Sequence, residues 1–400
     1  PGLAGSRILR TIGVFCCTGF TSCAAPFAGM GGTDKVGVKA RAQGGEEEMN
    51  ETEYLIVGGG PAGLGAACRL QQKNKDWRLL EAEDHVGGLS SSFVDEKGFT
   101  WDLGGHVQFS HYNTFDRYMD GALGPEGWLV HERESWIWVK QRFVPYPFQS
   151  NLHRLDPGDQ KICLDGLEEV WKRAPGPVAN FEEWMLSMFG RGVCDLFMRP
   201  YNFKVWAHPP AMMDYRWFGD RVAVPDRESV LRAIRTNEDH VSWGPNRLFR
   251  FPKSGGTGAI WKSIGATLDA NRVSLSCAVE RIEAGQKVCT TADGIRWKYR
   301  CLISTMPLDD LIRKSDVVDH GIAGHLLFST THLVGVGMEG QPPDHLKTKC
   351  WMYFPGANSP YYRITVFTNY SPNNAPRPGR QWSLMTETSE SRFKPVETRT

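Results

Sequence analysis

Residues Tyr54–Gly88 constrain this chain more than any other stretch. Tyr54–Val57 is a short apolar run with the pattern of a buried parallel strand. Gly58, Gly60 and Gly63 follow it directly as G-x-G-x-x-G. Ala62–Gln72 carries good helix formers and an apolar face, and Trp77–Leu80 reads as a second strand that ends on Glu81. Gly58 permits a tight turn, Gly60 lets backbone approach a pyrophosphate, and Gly63 lets helix and strand pack closely. The helix N-terminus presents free N–H groups and a positive dipole end to phosphates. Glu81, about 20 residues past the glycines, is spaced to accept hydrogen bonds from an adenosine ribose. A glycine-rich turn alone would be a weak signal. Strand, helix, second strand and acid at these offsets together predict a dinucleotide site. Gly87-Gly88-Leu89-Ser90-Ser91 adds a second amide-rich loop, a pairing more typical of FAD proteins than of NAD proteins.

A chain of 400 residues can bury a large core and hold two or three domains. Lys+Arg 46 against Asp+Glu 45 gives a net charge of +1, which points away from nucleic acid or an anionic membrane as the main partner. The 10 cysteines show no C-x-x-C, and several sit in apolar or strand-like contexts, as expected of reduced thiols in a cytoplasmic protein. No apolar run is long enough to span a membrane. Pro1–Gly32 lacks acids and carries Arg7 and Arg10, so it reads either as a signal or transit segment or as untranslated or mispredicted sequence, and Lys35–Glu48 reads as a polar linker.

Further along, Gly98–Leu103 reads as a strand, followed by the Gly104-Gly105-His106 turn. Ser135–Val139 and Arg142–Pro147 read as a hairpin around Lys140-Gln141, and the two prolines after it predict a rigid loop presenting Tyr146 and Phe148. Leu164–Arg173, Asn180–Phe189 and Val193–Val205 read as helices. Gly255–Leu268 reads as another. Val273–Ile282, Lys287–Thr291 and Trp297–Ser304 return to strands, the last ending at Thr305-Met306-Pro307. Ala323–Val336, Cys350–Phe354, Tyr362–Asn369 and Gln381–Thr386 read as strands of a substrate domain. The expected fold is α/β: a Rossmann-like FAD-binding domain (50–112 and 236–308), an inserted α-helical domain (152–235) and a mixed or antiparallel β-sheet substrate domain (113–151 and 309–400), after a leader or linker over 1–49.

No Ser-His-Asp pattern, H-E-x-x-H or metal-type cysteine spacing is present. His106 and His111 are poorly spaced for two ligands on one helix face. A flavin would itself supply the reactive atom, leaving the protein to orient and stabilise. Arg199, Arg221 and Arg363 sit in aromatic, loop-like company and can offer planar bidentate forks to a diphosphate, although each could equally be a structural ion pair. Tyr370 can add a phenolic donor. Tyr146, Phe148 and Trp206 can stack on a flat base, although each could equally be core.

These motifs together resemble the eukaryotic UDP-galactopyranose mutases. The matching segments are GGHVQFSHY (Gly104–Tyr112), FVPYPFQSN (Phe143–Asn151), DLFMRPYNFKVWA (Asp195–Ala207), WGPN (Trp243–Asn246) and FRFPKSGGTGAIW (Phe249–Trp261). STMP (Ser304–Pro307), STTHLVGVG (Ser329–Gly337), CWMYFP (Cys350–Pro355), YRITVFTNYSP (Tyr362–Pro372) and SESRFKPV (Ser389–Val396) follow in the family's order. The resemblance implies a non-redox isomerase that interconverts UDP-galactopyranose and UDP-galactofuranose. In it, N5 of reduced FAD attacks the anomeric carbon, UDP leaves, and the sugar recloses as a furanose before UDP returns. NADPH is the implied reductant, and a homo-oligomer is possible.

By position, the resemblance implies FAD contacts from Gly58, Gly60, Ala62, Gly63, Leu64, Glu81, Gly88, Leu89, Ser90, Gly104, Gly105, His106, Val279 and Met306. Gly105, His106, Arg221 and Arg363 are the implied catalytic set, with the Gly105 carbonyl offered to flavin N5–H and His106 against the ring. Tyr146, Phe148, Gln149, Asn202 and Trp206 match a uridine pocket. Asn246 and Trp351 match residues near the sugar. Arg221, Arg363 and Tyr370 match the diphosphate site, and Arg199 reads as structural. Family members continue well beyond the segment that ends this chain, and that part holds further active-site residues. The chain is therefore expected to be C-terminally truncated, to hold FAD poorly and to have little activity. The competing expectations are a flavin amine or protoporphyrinogen-type oxidase and an inactive FAD-binding fragment.

Overall fold

The structure is a computed structural model that describes residues 13–17, 49–174, 176–217, 222–241, 247–316 and 319–396. Leu55 and Ile56 are fully buried and Val57 nearly so, because their strand, Met49–Val57, lies inside a six-stranded sheet. Its neighbours are Trp77–Leu80 on one side and Arg296–Ser304 on the other, both parallel. Val273–Ser274 extends the parallel part beyond Trp77–Leu80. Val288–Thr291 and Val279–Glu283 close the other edge as antiparallel strands. Helix Pro61–Gln72 crosses from the first strand to the second and buries Leu64 and Ala67. This is the strand–helix–strand unit expected from the glycine motif. It belongs to a compact unit formed by the described residues of 18–86 and 266–326.

The second unit takes in 87–265 and 327–400 together with the short strand Gly13–Cys17. Its framework is a seven-stranded sheet, ordered Gly13–Cys17, Thr330–Glu339, Gln381–Glu390, Arg363–Val366, Trp351–Tyr353, Ser135–Val139, Arg142–Pro145. Only Trp351–Tyr353 and Ser135–Val139 run parallel. The expected hairpin forms, and Lys140 and Gln141 adopt φ of 49° and 60°, the left-handed pair that a two-residue turn requires. Antiparallel register sets Arg363 directly opposite Glu387.

Helices Pro157–Trp171, Phe181–Val193, Arg199–Trp206 and Arg227–Thr236 occupy the stretch expected to be helical. Asn180 caps the second by accepting from Glu183 N–H at 2.9 Å, and Asp226 caps the fourth by accepting from Ser229 N–H at 2.8 Å. The first two helices approach at Gly166 and Gly190. A Cβ on Gly190, which holds φ 67°, would stand 2.3 Å from the Gly166 carbonyl oxygen.

Two strands differ from expectation. Ala323–Val336 is not one strand: His320–His325 is a 3₁₀ turn, started by Asp319 accepting from Gly321 N–H, and the strand begins at Thr330. Val273–Ile282 is broken between Ser274 and Val279, where Ser276 turns with φ 52°. Among the described residues no helix is long and apolar enough to cross a membrane.

The glycine contact can be tested. Gly190→Ala should lower the unfolding free energy by about 1–3 kcal/mol in a denaturant melt, because backbone must move to admit the methyl group. Gly65→Ala is the control. It lies in helix Pro61–Gln72 with nothing within 4 Å of its Cβ position, and should be neutral or stabilising by up to about 1 kcal/mol.

Candidate functional site

In the smaller unit, Gly58, Gly59 and Gly63, at and after the end of the first strand, have no free room for a side chain. Gly58 has φ 102°, and a Cβ on Gly63 would stand 1.8 Å from the Gly58 carbonyl oxygen. The loop is tied down where it leaves the strand. Gly58 N–H donates to the Leu80 carbonyl at 2.9 Å, and Thr305 N–H donates to the Val57 carbonyl at 2.8 Å. The Thr305 hydroxyl also donates to the Val57 carbonyl, at 3.0 Å. Glu81 is buried. It accepts from Gly59 N–H on one oxygen and from Glu83 N–H on the other, at 2.9 Å for the latter. This acid therefore shapes the loop.

Helix Pro61–Gln72 begins after Gly60 with no side-chain cap and no acid in its first turn. Its first N–H groups, around Ala62 and Gly63, have no intrahelical acceptor. The Ser304 hydroxyl next to the loop is buried without a hydrogen-bond partner. A cradle closed to side chains, an uncapped helix start and an orphaned hydroxyl fit the phosphates of a dinucleotide such as FAD. Leu64 and Val279 are buried, and Met306 packs against the core that contains Val279. Val279 gives its carbonyl to Lys314 Nζ at 2.7 Å.

In the larger unit, Gly87 and Gly88 hold φ of 119° and 51° and lead into the turn Gly88–Ser90, which leaves Leu89 exposed. Ser91 Oγ and Trp261 Nε1, both buried, have no hydrogen-bond partner. Beneath this loop lies Asp102. It accepts from Ser92 Oγ at 2.5 Å and from Thr257 N–H at 3.1 Å, while Ser92 Oγ accepts from Gly258 N–H at 2.7 Å. Burial pushes the Asp102 carboxyl up to about 7 against these bonds.

Two residues on, Gly104 takes φ 133°, and His106 N–H closes back onto the Gly104 carbonyl at 2.9 Å. Gly105 N–H donates to Glu387 Oε1 at 2.7 Å. The same carboxylate receives Arg363, Nη2 on Oε1 at 2.7 Å and Nε on Oε2 at 2.9 Å. Arg363 Nη2 also lies 3.5 Å from the Gly105 carbonyl oxygen. Burial raises the Glu387 pKa, but the Arg363 charge and the bonds from Arg363, Tyr362 and Gly105 outweigh it and leave the acid below the ordinary range. Burial and the nearby Arg363 charge lower His106. Its Nδ1 is buried and unpartnered, so this imidazole is neutral at pH 7 and holds a polar atom in reserve.

The expected aromatic residues gather close by in the same unit. The Arg133 guanidinium stands 4.6 Å from the Tyr146 ring centroid and 4.9 Å from that of Trp351. Tyr353 meets Tyr146 edge-on at 6.3 Å and Tyr201 at 5.0 Å. Tyr370 is buried among Phe249, Phe251, Phe367 and Trp351. Phe148, expected to be presented by its loop, is instead fully buried and packs on Phe197 at 5.0 Å. The two prolines turn the chain inward there, through a cis Tyr146–Pro147 bond. Gln149 is also buried and donates to the Ala223 carbonyl.

Asn202 and Trp206 lie one helical turn apart. Trp206 Nε1 donates to Asn202 Oδ1 at 3.3 Å, and Asn202 Nδ2 donates to the Met198 carbonyl at 2.7 Å. Their helix is pinned by Lys204, whose buried ammonium donates to the carbonyls of Phe354, Gly356 and Ser359 at 2.7, 2.9 and 2.8 Å. Arg199 is bound by Glu182 and Asp195, as its structural reading expects.

Gly104, Gly105, His106 and Arg363 are thus brought together, and Tyr146, Trp351 and Tyr370 share one aromatic network. Arg221 and Asn246 lie outside the described residues. Glu387, Arg133 and Tyr353 were missed by sequence reasoning. Among the described residues no cluster of three or more His, Cys, Asp or Glu could hold a metal ion.

Residues 56–121 match the family model of the NAD(P)-binding Rossmann-like domain. Over 142 residues the chain is 30% identical to human flavin-containing amine oxidase B, a match that covers 34% of this chain but only 27% of the oxidase. A plant zeta-carotene desaturase from Capsicum annuum matches at 34% over 80 residues, 14% of its length. The crystal structure of a reduced UDP-galactopyranose mutase superposes with a TM-score of 0.83 at 49% identity, covering 86% of this chain and 76% of the mutase. A protoporphyrinogen oxidase-like protein from Exiguobacterium shares the fold at a TM-score of 0.62 and 16% identity.

Asp102 supplies a test of the larger unit. An aspartate in an unfolded chain titrates near about 3.9, whereas in the folded protein it titrates at about 7. As pH rises the unfolded chain gives up this proton first, so native stability should fall between these values and level off above about 7. In Asp102→Asn that part of the slope should vanish from denaturant melts at pH 5 to 8. An unchanged slope would assign the titration elsewhere.

Proposed function

Since this chain belongs to the UDP-galactopyranose mutase family, we propose that it interconverts UDP-galactopyranose and UDP-galactofuranose as an FAD-dependent isomerase. The observation that carries the reading is the meeting of Arg363 with the Gly104–His106 turn, a guanidinium fork beside a glycine turn, in a chain 49% identical to a solved mutase. Bound FAD in its reduced form would supply the nucleophile, at N5.

The protein's own residues then have assignable tasks. The loop of Gly58, Gly60 and Gly63 with Glu81 would hold the adenosine diphosphate half of FAD, with Gly88–Ser90 and Gly104–His106 serving the rest. Gly105 would orient a flavin N–H through its carbonyl. His106, kept neutral, would sit against the ring without adding charge. Arg363 would take the substrate diphosphate, with Arg221 and Tyr370 assisting. Tyr146 and Trp206 would stack on uracil beside Phe148, Gln149 and Asn202, and Trp351 and Asn246 would stand near the sugar. Holding UDP fixed while it leaves and returns keeps a bimolecular recapture effectively unimolecular.

NADPH is the reductant in this reading. The sequence has a single dinucleotide motif, so a diffusible hydride donor fits better than a second resident cofactor. The cytoplasmic setting is part of the same reading and is supported by free thiols at seven described cysteines. The domain division expected from sequence, with FAD held by 50–112 and 236–308, belongs to it as well. An amine oxidase is the weaker alternative, since that match covers only 34% of the chain.

The test is product chromatography with UDP-galactofuranose on the FAD-loaded chain, with and without dithionite. Conversion only after reduction supports the mutase. Conversion in the oxidised state, or none with FAD bound and reduced, overturns it. Arg363→Lys, which keeps a cation beside Glu387 but removes the planar fork, should abolish measurable UDP-sugar binding while FAD content stays unchanged. Loss of FAD or of fold would make Arg363 a structural ion pair.

A further inference from the structure

Glu387 has no role in the reading above, yet its side chain is only 1% exposed. A buried carboxylate costs several kcal/mol unless it is fully paired, and an apolar pair of similar volume is often as stable. Stability alone therefore does not account for a glutamate here.

Its partners suggest what does. Glu387 and Arg363 face each other across adjacent antiparallel strands, and Gly105 is brought to them from 282 residues earlier in the chain. The carboxylate grips the guanidinium side-on, through Nε and Nη2. No hydrogen bond to a described residue engages Nη1, so the grip fixes the plane of the fork and leaves one edge for an anion. Oε1 is shared between Arg363 Nη2 and Gly105 N–H, both at 2.7 Å. Arg363 cannot turn without disturbing the acceptor that holds the Gly104–His106 turn, and a Cβ on Gly105 would stand 2.9 Å from Nη2.

We propose that Glu387 is a positioning residue that couples Arg363 to the Gly104–His106 turn, so that a nucleoside diphosphate drawn to Arg363 orders the turn. The inference rests on the reading of Arg363 as the diphosphate arginine. Coupling of this kind makes occupancy of the nucleotide site and conformation of the turn a single equilibrium. Glutamine can keep its oxygen on the position shared by Arg363 Nη2 and Gly105 N–H only by turning its NH2 group onto Arg363 Nε–H, donor against donor, and it removes the charge that holds the guanidinium.

The experiment is UDP binding by calorimetry, together with amide hydrogen exchange of the peptide that contains Gly104–His106, on the wild-type chain, Glu387→Gln and Glu387→Asp. In the wild type, UDP should slow exchange in that peptide. Glu387→Gln should weaken UDP binding about tenfold and, even at saturating UDP, show no protection of the turn. Glu387→Asp, which keeps the charge, should restore part of both. Thermal melts identify a variant that has lost its fold. If Glu387→Gln unfolds, a folded Glu387→Asp that shows protection equal to wild type overturns the proposal. Glu387→Gln binding UDP within twofold of wild type, or protecting the turn fully at saturation, overturns it as well. A wild-type chain that binds no UDP overturns the diphosphate reading itself, a different failure from intact binding without coupling.

Discussion

Glu387 is buried against Arg363, which keeps one edge partly exposed, and much of the larger unit is arranged around that pair. The carboxylate could not be buried alone at a tolerable cost. The two strands that carry them must pair in one register, because a slip of a single residue would send each side chain to the opposite face. Strand Gln381–Glu390 is itself held between Thr330–Glu339 and Arg363–Val366, so the pair is locked by ladders on both sides. The turn at Gly105 then adds a third partner from distant sequence. Sheet register, ion pair and turn each presuppose the other two.

How much of this was legible beforehand depended on how local the signal was. The glycine loop was readable because its determinants sit within one strand–helix–strand unit and follow from backbone sterics. The 140–141 hairpin was readable for the same reason. Glu387 was not. It stands in Thr386-Glu387-Thr388-Ser389, which reads as a solvated strand, and only pairing with Arg363 from another strand turns it inward. Arg133 was hidden among His131, Glu132 and Glu134, a charged run that resembles surface, although its guanidinium lies against two aromatic rings. Phe148 shows the converse error, since flanking prolines suggested display and the chain turned inward instead. Burial of polar residues is decided by partners far away in sequence, and that information is absent from a local window.

The relatives divide along the same line. The Rossmann-like match stops at residue 121 and says what kind of nucleotide fold opens the chain. The residues proposed for the substrate, Trp351, Arg363 and Tyr370, lie much later, outside that match. The similarity to an amine oxidase and to a desaturase extends over 142 and 80 residues, a minor part of the chain. A fold held in common with 16% identity carries no more than architecture.

Lys204 bears on how the helix with Asn202 and Trp206 keeps its place. Its ammonium sits in a shell of carbonyl oxygens from Phe354, Gly356 and Ser359, much as an alkali cation would. Here the ion is tethered by its own side chain. It cannot diffuse away and needs no recruitment from solution, so the 354–359 loop folds around it whatever salts surround the protein. The loop has in effect a coordination sphere whose central ion is encoded in the gene.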